Sequence, residues 1–397
     1  MTTTSAPGRL FGARVKRRED PRFITGRGQY TDDITLPGTT HAAFVRSPYA
    51  HARITGVDAA GALAMPGVRA VFTGADLADA GVNPIPAGWV LPGMHTTPRR
   101  ALATDRARYV GEAVAVVIAD TAAAARDAAE RVRVDYEELP AVADATRALA
   151  PGAPLVHDDA PENRCFHWTL GDAERTDAAI RGAAHVVRHR LVNQRLVPNA
   201  IEPRASLGSY HAATDELTLW VTSQNPHVHR LIMCAFVLGI PEHKLRVIAP
   251  DVGGGFGSKI YIYPEEIACL FAAKRTGRPV KWVADRSESF MTDAHGRDHV
   301  TKAKLALDAD HRFIGLKVDT IANIGAYMSL FSSATPTYLY ACLLAGQYTT
   351  PAIYANVKLV YSHTTPVDAY RGAGRPEATF VVERLVEAAA RKLGVSP

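Results

Sequence analysis

The chain has 397 residues, 47% of them apolar and 21% charged, with a formal net charge of +5. That length exceeds one ordinary core and points to two or three domains, and the balance of apolar to charged residues excludes a largely disordered polypeptide. The basic residues are scattered, with short runs such as Lys16-Arg17-Arg18 and Arg99-Arg100, so a solvated surface is expected and a nucleic-acid partner is not.

Met1–Leu10 is rich in Thr and Ser and has no apolar core, and no run of about 18 apolar residues occurs anywhere. Neither a signal peptide nor a membrane span is expected, and the cytoplasm is the expected compartment. Residues 1–20 read as a polar arm, and Gly26–Asp33 as turns. Strands are predicted at His41–Ser47 and Val68–Thr73, and a Pro/Gly-rich loop at 81–98. Ala113–Ala119 reads as a fully buried strand. Thr121 caps a helix over Ala122–Arg131, and Val132–Tyr136 returns as a strand. Strand–helix–strand order predicts a mixed α/β domain here. Asp135, Glu137 and Glu138 read as an exposed edge rather than as paired catalytic carboxylates.

Residues 140–165 carry Pro, Gly and Asp and read as a linker. Beyond it, strands are predicted at Ala184–Arg190, Ala205–Tyr210, Leu217–Val221, Leu245–Ala249, Val280–Ala284, His299–Leu307 and Phe313–Asn323. Helices are predicted at Val228–Leu238 and at Pro264–Arg275, the latter started by its proline and stopped by Gly277. Pro376–Leu393 is an amphipathic helix with Phe380, Leu385, Ala388 and Ala389 able to share a face. Cys165, Cys234, Cys269 and Cys342 lie far apart, without zinc or iron–sulfur spacing, and each reads as a small buried apolar residue.

Three segments can carry chemistry. In Asp251-Val252-Gly253-Gly254-Gly255-Phe256-Gly257-Ser258-Lys259, consecutive glycines permit close backbone approach and expose N–H groups to anionic oxygens. Ser258 and Ile260 stand where a phosphate loop needs Gly and Ser/Thr, and the dinucleotide fingerprint fits equally poorly. A tight turn and a ligand cradle therefore both remain open, although Phe256 between glycines favours a pocket wall. In Thr222–Arg230, Gln224 is either a turn amide or a neutral hydrogen-bonding group for a cofactor oxygen. His227 and His229, two apart, cannot share a helix face and suit capping or surface contacts. In Ala369–Glu377, Arg371 or Arg375 can clamp an oxyanion or instead pair with Glu377 or Glu383. His295 and His299 read as two solvated histidines rather than as metal ligands.

Together these segments resemble the molybdenum hydroxylase family of xanthine dehydrogenase, aldehyde oxidoreductase and aerobic carbon monoxide dehydrogenase. The resemblance also runs through Gly26–Asp33, Val110–Ala115, Val134–Pro140, Glu202-Pro203-Arg204 and Gln224–His227. It implies an α+β (mixed α/β) fold: an α/β hammerhead domain at 21–145 after the arm at 1–20, a linker at 146–165, and the first half of a molybdopterin-binding domain at 166–397. It implies that Gln224, Gly254, Gly255, Phe256, Gly257, Arg371, Gly372 and Ala373 hold the cofactor. Phe256 and Arg371 then act on the substrate, and no side chain ligates molybdenum directly. The implied cofactor is molybdopterin, expected as the cytosine dinucleotide. The implied reaction is hydroxylation of an aldehyde or N-heteroaromatic carbon with water. The implied partners are a 2Fe-2S small subunit, an FAD-binding medium subunit and the C-terminal half of the large subunit, in a dimer of heterotrimers. Gly372 stands where copper-containing carbon monoxide dehydrogenases carry Cys, and Ile260 where purine oxidisers carry Glu. The family's general-base glutamate belongs to the second half of the cofactor domain. The chain alone is therefore expected to be inactive, with a non-catalytic remnant or assembly partner as the rival reading.

Overall fold

A computed structural model describes residues 11–397. Its strands, in chain order, are β1 (Thr40–Arg46), β2 (Ala52–Asp58), β3 (Val68–Thr73), β4 (Arg106–Ala107), β5 (Ala113–Ala119), β6 (Arg133–Glu138), β7 (Arg164–Gly171), β8 (His185–Asn193), β9 (Ala205–His211), β10 (Glu216–Val221), β11 (Leu245–Ile248), β12 (Val280–Val283), β13 (His299–Leu307), β14 (Phe313–Gly325) and β15 (Ile353–Tyr361). The helices that matter below are α1 (Ala122–Ala129), α2 (Ala173–Gly182), α3 (Pro226–Ile232), α4 (Pro264–Thr276) and α5 (Arg375–Leu393).

Two large sheets organise the chain. The first has seven strands in the order β11-β10-β9-β12-β1-β5-β3. β1 pairs parallel with β12 through Thr40 and Val280, so the N-terminal α/β segment and the segment around 205–283 share one sheet. The expected boundary near 145 therefore divides the sequence but not this sheet. Every residue of β5 is buried, as its continuous apolar run requires. The second sheet, β7-β15-β14-β13-β8, packs one face on α5, where Val381, Leu385 and Ala389 meet Val187, Leu305 and Val318. A small third sheet, β4-β2-β6, carries the acidic edge of β6.

Local signals explain several elements. The Thr121 hydroxyl accepts from the Ala124 N–H and starts α1. Pro264 opens α4, and Gly277 closes it at φ 66°. Ten residues of α4, Pro264 through Ala273, are buried, so this helix is core on nearly all sides.

Other expectations need correction. The linker at 146–165 is packed: Val156, Ala160 and Asn163 are fully buried, and Asn163 Nδ2 donates to the carbonyls of Ala148 and Pro154. Strands β2, β7 and β15 and helix α2 lie in stretches where no element was predicted. Helix α3 begins at Pro226 and runs into a wider turn at Met233–Leu238. Cys342 is exposed, unlike the other three cysteines. Arg99 is buried over Tyr327, so its run is not a solvated patch. Of the expected arm, residues 1–10 lie outside the described residues, and 11–19 are largely exposed.

Buried histidines make the fold sensitive to acid. Burial holds His157 and His295 down at about 4, and His363 at about 3 with further help from neighbouring His51. Above pH ~6.5 these groups are neutral in both the folded and unfolded chain. Below it the unfolded chain takes up protons that the folded chain refuses, so stability falls as the pH drops towards about 4. Asp368, raised to about 6, and Glu112, also raised by burial, work in the opposite sense, while His41, His51 and His299 are lowered by burial like the other three. Urea unfolding at pH 5 should therefore show about 2 kcal/mol less stability for each of His157, His295 and His363 than at pH 7, partly offset by Asp368 and Glu112. Equal stability at the two pH values would contradict this.

Candidate functional site

Strand β11 delivers the chain to Asp251, and the turn Gly253–Lys259 leads on to α4. Asp251 is fastened at the turn's entrance. Its carboxylate accepts from the Arg22 guanidinium and, at 2.9 Å, from the Gln29 N–H, while its own N–H donates to the Gln29 carbonyl at 3.0 Å. The turn-rich Gly26–Asp33 stretch thus braces the glycine turn. At the exit, Tyr263 Oη donates to the Ser258 carbonyl at 2.6 Å.

Gln224 sits directly against the turn. The Gly257 N–H donates to Gln224 Oε1 at 2.9 Å, and the Gln224 N–H donates to the Lys259 carbonyl at 2.8 Å. With its oxygen engaged, the carboxamide presents Nε2, which has no acceptor among the described residues. Two positions of the turn are the tightest. A Cβ at 255 would lie 2.2 Å from Gln224 Oε1, and one at 257 would lie 2.2 Å from the Ala369 carbonyl oxygen. Phe256 takes φ 52°, a costly conformation for an aromatic residue, and the residue is 40% exposed. Among the described residues, the N–H groups of Gly254, Gly255 and Phe256 donate to no acceptor.

The second segment closes on the first by backbone contact. The Arg371 N–H donates to the Phe256 carbonyl at 2.8 Å. Arg297, itself buried, holds this loop from behind. Its Nη2 donates to the Arg371 carbonyl at 2.8 Å, and its Nη1 to the Tyr370 carbonyl at 3.2 Å and to Glu377 Oε1 at 3.0 Å. The pairings weighed for Arg371 and Arg375 do not form: Glu377 belongs to Arg297, and Glu383 accepts from Tyr348 Oη. Arg375 donates to the Gly372 carbonyl. The Arg371 guanidinium is exposed and has no acceptor among the described residues. Gly372 and Ala373 follow at φ 98° and 27°.

Gln224, the glycine turn and the Arg371 loop therefore meet. The histidines do not join them. His295 and His299, read as solvated, are buried: His295 Nε2 donates to the Phe290 carbonyl at 2.9 Å, and its Nδ1 faces Arg195 at 3.2 Å. His229 is also fully buried, packed near Ser223 and Glu266, because it lies on the inner face of α3. Sequence reasoning missed Arg297, whose partner Glu377 lies 80 residues away. It also assigned no role to Lys259 and Glu202, although both stood inside quoted motifs.

The free groups are all hydrogen-bond donors: three adjacent backbone N–H groups, one carboxamide NH2 and one guanidinium. That set suits an oxygen-rich anionic ligand. The neighbouring carboxylates are already engaged. Asp368 is raised to about 6 by burial, and accepts from the N–H groups of Phe331 and Ala369 at 3.0 and 2.6 Å.

The family model for the molybdopterin cofactor-binding domain matches residues 156–397, and that for the aldehyde oxidase and xanthine dehydrogenase a/b hammerhead domain matches 25–140. The chain belongs to the molybdopterin-binding large subunits of the xanthine dehydrogenase family. It is 38% identical to the carbon monoxide dehydrogenase large chain of Hydrogenophaga pseudoflava, over 96% of this chain and 48% of that one. It is 30% identical to the nicotinate dehydrogenase large molybdopterin subunit of Eubacterium barkeri, over 94% of this chain and 84% of that one. The crystal structure of quinoline 2-oxidoreductase from Pseudomonas putida 86 superposes with a TM-score of 0.92 at 38% identity, over 96% of this chain and 48% of that chain. The chain thus spans about half the length of most of the relatives it matches. The donor set fits this family's cofactor, since molybdopterin presents oxygens to N–H groups, and hydrogen alone at 255 and 257 lets Gln224 and the Ala369 carbonyl pack against the turn that carries those donors.

The loop contact makes opposite predictions for two substitutions. Gly257→Ala places a methyl group against the Ala369 carbonyl at φ 109° and should cost on the order of 2–4 kcal/mol. Arg371→Ala should change stability by no more than about 0.5 kcal/mol. Thermal unfolding of the two variants checks this, and a Gly257→Ala variant as stable as the wild type would show that the loops are not in contact.

Proposed function

We propose that the chain is the molybdenum cofactor-binding part of a hydroxylase that oxidises an aldehyde or N-heteroaromatic carbon with water. The carrying observation is that Gln224, Gly254, Gly255, Phe256 and Arg371 all leave donors unpaired beside the contact between the two loops. Gln224 Nε2 and the turn N–H groups hold the cofactor, Gly257 seats the turn against the Ala369 carbonyl, Gly372 and Ala373 give the cofactor close backbone approach, and molybdopterin cytosine dinucleotide is the proposed form. When bound, the cofactor supplies the redox chemistry that replaces a carbon-bound hydrogen with water-derived oxygen. Phe256, an exposed residue, walls the substrate position. The Arg371 guanidinium stabilises negative charge that develops on oxygen.

A general base is the missing role. Asp251 is held by Arg22, Glu202 by Lys259, Glu377 by Arg297, and Asp368 by backbone N–H groups. The first three are paired with cations and Asp368 is buried, so the proposed base lies outside this set, in a C-terminal half of the large subunit. The four cysteines stand singly, and three are buried. Electrons are proposed to leave, as in the family the chain resembles, through an iron–sulfur small subunit and an FAD-binding medium subunit, in a cytoplasmic dimer of heterotrimers. Among the described residues, no helix is long and apolar enough to cross a membrane.

The similarity to a carbon monoxide dehydrogenase large chain favours a second reading, in which carbon monoxide is the substrate. Gly372 offers no thiol in the active-site loop, and the one exposed cysteine is Cys342, outside it. A copper-dependent site is accordingly not proposed. Assays of aldehydes, N-heteroaromatics and carbon monoxide test these readings. Turnover of the first two is expected only when the chain is purified with its partner subunits. In that complex Arg371→Ala should lower kcat/KM by about a hundredfold or more without lowering the melting temperature. Robust turnover by the chain alone would overturn the missing-base argument, and a complex that oxidises only carbon monoxide would replace the substrate class.

A further inference from the structure

Lys259 ends the glycine turn, and its side chain runs inward, only 1% exposed. Its Nζ donates to Glu202 Oε2 and to the Glu202 carbonyl, both at 2.8 Å. The same Oε2 accepts from the Gly253 N–H at 2.7 Å, and the Glu202 N–H donates to the Gly253 carbonyl at 3.2 Å. One carboxylate oxygen therefore touches both the first and the last residue of Gly253–Lys259. The fit is close, because a Cβ at 253 would lie 2.5 Å from Glu202 Cβ. The other oxygen, Oε1, is buried without a hydrogen-bond partner among the described residues. The nearby Arg204 is occupied by Asp293 and Glu265, which leaves Glu202 as the counter-charge of Lys259.

Stability alone does not account for this pair. Removing two charges from water costs several kcal/mol per ion, and well-packed apolar replacements of similar volume are often neutral or better. A buried carboxylate oxygen without a donor adds to that cost. What the pair provides is geometry. Four of the seven residues in the turn are glycines, which lose the most conformational freedom when a single shape is imposed. A bridge between the two ends removes that freedom before a ligand arrives.

We propose that Glu202 and Lys259 are positioning residues for the glycine turn, clamping its ends so that the Gly254, Gly255 and Phe256 N–H groups stay open to the cofactor. This rests on the reading that the turn holds molybdopterin. Neither residue touches the reacting atoms.

Glu202→Gln, Lys259→Met and the double variant test the clamp in the full chain purified from a host that makes the cofactor. Two readouts are needed: pterin per chain, measured as its fluorescent oxidation product, and the melting temperature. Each single variant leaves a lone buried charge or an unbridged turn, and should lose tenfold or more of the pterin as well as melting earlier. The double variant removes both charges, so its melting temperature should return close to that of the wild type while its pterin content stays low. A double variant with wild-type pterin content overturns the clamp. So does a double variant that is as unstable as the singles and loses pterin only in step with stability, since the pair is then structural. Wild-type chain without pterin overturns the functional reading, and the clamp with it, whereas loaded wild type and equally loaded variants overturn the clamp alone.

Discussion

Two loops from distant parts of the chain meet backbone to backbone, with no side chain between them. The Phe256 carbonyl accepts the Arg371 N–H, and Gly257 lies against the Ala369 carbonyl. The rest of the site depends on this contact. Gln224 can hold the Gly257 N–H only because Gly255 has no side chain. Arg371 can present a free guanidinium only because Arg297 and Glu377, both buried, fix its backbone from behind.

Each loop stands just before a long helix, and each helix is embedded in a separate core. Helix α4 lies in the core that includes Leu219, Met233 and Trp282, and α5 in the core that includes Val318, Leu359 and Tyr361. A buried charge network ties α4 to the shared sheet. Arg46 on β1 and Arg204 both donate to Glu265 in the first turn of α4. Burial alone would raise the Glu265 carboxyl, yet the two guanidinium groups bring it down to about 2. Arg204 also reaches Asp293 and stacks on Tyr263, the residue whose hydroxyl holds the end of the glycine turn. The N-terminal α/β segment thus contributes to the site without donating a ligand-facing group to it.

Much of this was legible in the sequence. The buried run of β5, the capped helix α1, the proline-started and glycine-stopped α4, and the three site segments all carry short-range signals. The segments could be placed together because their order resembles a known family; no local pattern brings 224, 255 and 371 into contact. Strand β15 was missed although Ala355, Val357 and Leu359 alternate with Asn356 and Lys358, a period of two that was there to be read. The burial of His295 and His299 was not legible. His295 is packed against Arg195, 100 residues away, and His299 against the Tyr340 ring, partners that no local pattern announces. The same holds for Glu202 and Lys259, whose pairing across 57 residues exists only once the turn has folded.

The central claim is that the unpaired N–H groups of Gly254, Gly255 and Phe256 are the cofactor's contact points on this chain. Amide hydrogen exchange across residues 251–260, compared between cofactor-loaded and cofactor-free protein, tests it most directly. These three amides should be protected on loading, with little change at Gly253 and Gly257, whose N–H groups are already bound to Glu202 and Gln224. Equal exchange at Gly254, Gly255 and Phe256 in the two states would contradict the account.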